Sequence, residues 1–70
     1  MKDRDLAEAD RLLADCKKRI ARQREVIEHG FQEGHDTDVA VSLLRVFEAS
    51  LEALEMHRQF ILARQKRSDG

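Results

Sequence analysis

Proline, tryptophan and tyrosine are absent from these 70 residues, and there are three glycines and one cysteine. Without proline, nothing in the sequence forces a break in a helix. One cysteine excludes an internal disulfide and suits a reducing compartment, so a cytoplasmic location is expected. Aromatic residues make up 4% of the chain, all of them phenylalanine, which leaves little for base stacking on nucleic acid. No apolar run approaches the ~20 residues of a membrane span. The longest apolar cluster, Val39 to Phe47, is broken by Ser42 and Arg45, and the opening Met1-Lys2-Asp3-Arg4-Asp5 does not read as a signal peptide. Net charge is −1, so the chain as a whole is not a polycation.

What remains is rich in Ala, Leu, Glu and Arg, with 39% charged residues. That composition favours long helices. Two runs of helical periodicity flank the central stretch Glu33-Gly34-His35-Asp36-Thr37-Asp38. Gly34 suits the left-handed conformation that ends a helix. Thr37, or failing it Asp36, is the expected N-cap of the following helix, and Asp38 suits its positive end. The sequence therefore predicts an all-α antiparallel hairpin. One helix covers about residues 3–33, a turn 34–37 and a second helix about 38–66, with a frayed tail at 67–70. Asp3 or Asp5 is the expected cap of the first helix.

In the first helix Leu6, Leu13, Ile20 and Ile27 recur every seven residues, followed three later by Ala9, Cys16, Gln23 and Gly30. This is a narrow seam, which Phe31 extends to the turn. Gly30 either ends the helix early or sits inside it at a cost of about 1 kcal/mol relative to Ala. The second helix has its own seam at Ala40, Leu44, Phe47, Leu51, Leu54, Arg58 and Ile61. Beside it runs a second stripe, Val39, Leu43, Val46, Ser50, Ala53, His57 and Phe60, too wide for one neighbour. Folding back at the turn puts Ile27 opposite Leu44, Ile20 opposite Leu51, Cys16 near Leu54 and Leu13 near Arg58. The charges agree: Asp3, Asp5, Glu8 and Asp10 oppose Arg64, Lys66 and Arg67, and the basic middle of the first helix opposes Glu48, Glu52 and Glu55.

The second stripe is the expected homodimer interface of a four-helix bundle. Small residues at Ser50 and Ala53 mark the point where two second helices approach in an antiparallel, self-complementary contact. One hairpin alone is thin support for a fold of this size, so self-association is expected.

Motifs that carry chemistry are sparse. No catalytic, cofactor-binding or metal site is predicted, and enzymatic activity is not expected. Glu25, His29 and Glu33 stack at helical spacing but read as a solvated face. His35 and Asp36 read as turn chemistry. Cys16 lies on the seam, where a free thiol behaves as a small hydrophobe, and His57 reads as a packed neutral residue. Lys17, Lys18, Arg22 and Arg24 form the one basic face. They support an alternative reading as phosphate contacts of a nucleic-acid-binding accessory protein.

Arg22-Gln23-Arg24-Glu25, Gly34-His35-Asp36-Thr37 and Leu43-Leu44 with Phe47-Glu48 resemble a group of short uncharacterised bacterial proteins. These share an R-Q-R-E helix, a G-H-D-T turn and an L-L-x-x-F-E helix. The likeness covers about residues 20–62 and implies a stand-alone helical hairpin without an assigned activity. The function expected is thus a small non-enzymatic protein-interaction module. The expected partners are itself and, after that, another protein, with nucleic acid a lesser candidate and no membrane.

Overall fold

Uninterrupted by proline, both helical runs form in full. In the computed structural model α1 covers Lys2–Gln32 and α2 covers Asp38–Asp69, antiparallel and packed along their length in a rod of 57 × 15 × 11 Å. The structure describes the backbone of residues 2–69 and the side chains of residues 4–67. α1 begins at Lys2, ahead of Asp3 and Asp5. Asp5 therefore lies within the first turn rather than capping it, and the Asp3 side chain falls outside the described residues. α2 continues past residue 66 to Asp69, so residues 67–69 of the expected tail are helical; Gly70 lies outside the described residues. Lys66 and Arg67 in its last turn complement the negative end of the helix.

The turn is built on backbone bonds. Gly34 has φ 79°, the left-handed region open to glycine. Its N–H donates to the Phe31 carbonyl at 3.1 Å, and the His35 N–H donates to the Gly30 carbonyl at 2.9 Å. These two bonds are a Schellman motif closing α1. Gly30 stays helical, and its carbonyl receives the chain as it turns. A Cβ at Gly30 would lie 3.3 Å from the Thr37 methyl carbon. At the start of α2 the Thr37 carbonyl accepts from Val41 N–H at 2.9 Å, which puts Thr37 at the N-cap position. The side-chain capping bond comes instead from Asp36, whose Oδ1 accepts from Asp38 N–H at 2.9 Å. Asp36 bonds two residues on, as an Asx-turn does, and Thr37 packs its methyl on Gly30.

The core is small. Ala9, Leu13, Cys16, Ile20 and Ile61 are buried, and Leu6, Ile27, Leu44, Phe47, Leu51 and Leu54 are half-buried. Small residues on the α1 seam bring the helices close enough for side chain to reach backbone. Cys16 Sγ donates to the Phe47 carbonyl at 3.5 Å, and Gln23 Nε2 donates to the Ala40 carbonyl at 2.9 Å. Both contacts lie nearer the turn on α2 than a symmetric fold-back predicts; Cys16 bonds Phe47, one heptad from Leu54. Phe31 is not on the seam, being 77% exposed, because the chain leaves the helix axis within three residues of it and α2 has no turn opposite.

Candidate interaction surface

The two broad sides of the hairpin differ in chemistry. On one, Lys17 and Arg24 of α1 share a groove with Arg45, Glu48 and Glu52 of α2, and a second groove gathers Asp10, Lys17, Glu55 and Arg58. Arg24 pairs with Glu48 at 3.3 Å, and Arg58 pairs with Asp10. The expected charge match between the helices is present here, and Arg64 adds a longer pair to Asp5 at 3.6 Å. All these groups are well exposed, so the pairs add little stability one by one.

The other side is apolar. Seven residues at heptad-like spacing on α2 run along it: Val39, Leu43, Val46, Ser50, Ala53, His57 and Phe60. All seven are exposed, with Val39 at 83%, Val46 at 59% and Phe60 at 60%. His57, expected to be packed, is exposed in the single chain. α1 contributes to the same side. Leu12 lines one groove with Ala9, His57 and Ile61, beside Asp5 and Glu8. One heptad on, Arg19 places its guanidinium 5.8 Å from the Phe47 ring centre, a cation–π distance. A further heptad on, Val26 is 51% exposed. These three share a helix face by their spacing, so Leu12 and Val26 add to the apolar side from α1, with Arg19 between them. The strip on α2 was legible from sequence. Leu12 and Val26 fall outside the heptad seam of α1, and their joining the same surface depends on the side to which α2 packs.

The exposed area is large for the mass. The chain exposes 5821 Å², whereas a compact monomer of 8.1 kDa exposes about 4,500 Å². The excess, about 1,300 Å² on one chain, is more than the roughly 800 Å² that each partner covers in a standard protein interface.

The remaining candidates are dispersed. His29 Nε2 lies 2.9 Å from Glu33 Oε1, an i, i+4 pair on the surface. Among the described residues no three His, Cys, Asp or Glu side chains gather as metal ligands. Cys16 is a buried free thiol. Lys17, Lys18, Arg22 and Arg24 are all exposed, with Arg24 engaged by Glu48. No helix among the described residues is long and apolar enough to cross a membrane. Compared with models of protein families, with curated proteins and with solved structures, the chain matches none. The resemblance noted at the R-Q-R-E, G-H-D-T and L-L-x-x-F-E stretches therefore stands on those residues alone.

Proposed function

We propose that this chain is a small non-enzymatic interaction module that self-associates into a four-helix bundle through its apolar side. The observation that carries the reading is the exposed strip from Val39 to Phe60, continued on α1 by Leu12 and Val26. A contiguous apolar surface of this kind marks an interface. The five-residue core of the hairpin points the same way, since a domain this small gains stability by association. The assembled bundle offers its charged outer faces to a further protein partner. The single buried thiol suits the reducing cytoplasm.

Phosphate binding through Lys17, Lys18, Arg22 and Arg24 has less support. Glu48 pairs with Arg24, and Glu52 and Glu55 share grooves with Lys17, so part of this charge is offset within the hairpin.

Native mass spectrometry tests the proposal. A species at twice the 8.1 kDa chain mass is expected, and a folded monomer at micromolar concentration contradicts it. Affinity capture from lysate then separates a pure self-assembly from an adaptor with a second partner.

A further inference from the structure

The turn end of the hairpin is strongly acidic, whereas the open end, where α1 sets Asp3, Asp5, Glu8 and Asp10 against the cations of both helices, is weakly basic. From Glu25 to Asp38 there are five carboxylates and no lysine or arginine. From Met56 to Arg67, α2 carries four cations and no carboxylate. The polarity runs along α2, since one set gathers at the turn and the other at the open end, where Arg58 and Arg64 also meet Asp10 and Asp5 of α1. Near those two ends of α2, Asp38 and Arg67 are both exposed, and neither side chain has an ion-pair partner among the described residues. Arg64, 59% exposed at its side chain, is held among the described residues by the 3.6 Å pair to Asp5 and its contact with Phe60.

We propose that this end-to-end polarity orients the dimer. Two copies lie antiparallel on their apolar sides, so that Asp36 and Asp38 of each face Arg64 and Arg67 of the partner subunit. The inference rests on the self-association proposed above and adds the charged contacts that would fix its expected antiparallel direction. The midpoint between Asp36 and Arg67 falls between Ser50 and Ala53, where the strip is narrowest in side-chain bulk. Pairing about that point sets Leu43 beside Phe60 of the partner subunit and opposes the two α2 dipoles. In the parallel alternative both turn ends meet, and ten carboxylates crowd one end of the bundle. The Asp36 carboxylate uses Oδ1 in its cap and keeps its other oxygen for a guanidinium. Exposed pairs contribute little to affinity but select orientation through repulsion in the wrong one.

Spin labels report the orientation directly. A nitroxide is attached through His35→Cys, at the exposed turn, in a Cys16→Ser background. With the two-fold point between Ser50 and Ala53, the labels of an antiparallel dimer lie about 50 Å apart, at 1.5 Å rise per residue. A distance of 20 Å or less overturns the orientation while leaving a dimer in place. A monomer by sedimentation overturns the self-association as well, so the two failures are distinct. A charge exchange supplies a second measurement in the wild-type Cys16 background. Arg67→Glu is expected to weaken dimerisation about three- to tenfold at low salt, since each pair occurs twice. Adding Asp38→Lys restores most of the loss. A double variant no tighter than Arg67→Glu alone overturns the proposed contact.

Discussion

Replacing Gly34 isolates the backbone chemistry on which the hairpin turns. Its φ is 79°, and a Cβ built there meets nothing within 4 Å. A side chain at this position therefore carries no packing penalty, only the cost of holding an L residue in the left-handed region. That cost is about 1–2 kcal/mol, with a β-branched residue at the upper end. In a domain of this size each kcal/mol moves the melting temperature by about 4–8 °C. Gly34→Val is thus expected to melt about 5–15 °C below wild type, and Gly34→Asn to fall between the two. Melts followed by circular dichroism must be run at one chain concentration, because association also shifts the midpoint. Chirality provides the control. A D-alanine placed at position 34 by chemical synthesis prefers positive φ and narrows the unfolded ensemble, so it is expected to match or exceed glycine. Equal losses from D-alanine and valine would refute the argument, since they would make bulk, not handedness, the cause.

Three further outcomes follow from the same geometry. Asp36→Ala, which removes the bond to Asp38 N–H, is expected to cost about 1 kcal/mol in thermal melts, and more than Thr37→Ala. Gly30→Ala adds helix propensity worth about 1 kcal/mol but sets a methyl 3.3 Å from Thr37. It should therefore stabilise more in a Thr37→Ser background, where that methyl is gone, than in the wild type. Arg24→Ala breaks an exposed pair with Glu48 and should change stability by less than about 0.5 kcal/mol; mobility shift at about 50 mM salt should show no nucleic-acid complex for either form.

The hairpin was legible because periodicity, turn chemistry and charge agree. Leu13, Ile20 and Ile61 fall where the seams put them, and Gly34 takes the conformation its neighbours require. Details that depend on how closely the helices approach were not legible. Cys16 and Gln23 look like weak seam positions, yet their modest size and polar atoms let them bond the α2 backbone at Phe47 and Ala40. Phe31 fits the α1 period but lies where the chain has begun to turn, so nothing covers it. Thr37 and Asp36 both suit a cap by residue type, and it is Asp36 whose side chain makes the bond, a choice composition does not encode. On the candidate surface the α2 strip was readable from its spacing, whereas the contribution of Leu12 and Val26 needed the handedness of the packing.

Sedimentation equilibrium of the wild type beside Val46→Glu tests the central claim most directly. Val46 is 59% exposed on the single chain, and covering it contributes about 1 kcal/mol per copy from the ~1.5–3 kcal/mol of full side-chain burial. A carboxylate there removes that gain twice per dimer and must be desolvated as well, which together weaken association more than about a hundredfold. The account predicts a wild-type dimer at micromolar concentration and a Val46→Glu monomer of reduced helicity, with the charge change Arg45→Glu leaving the dimer intact. A wild type that sediments as a well-folded 8.1 kDa species would contradict it.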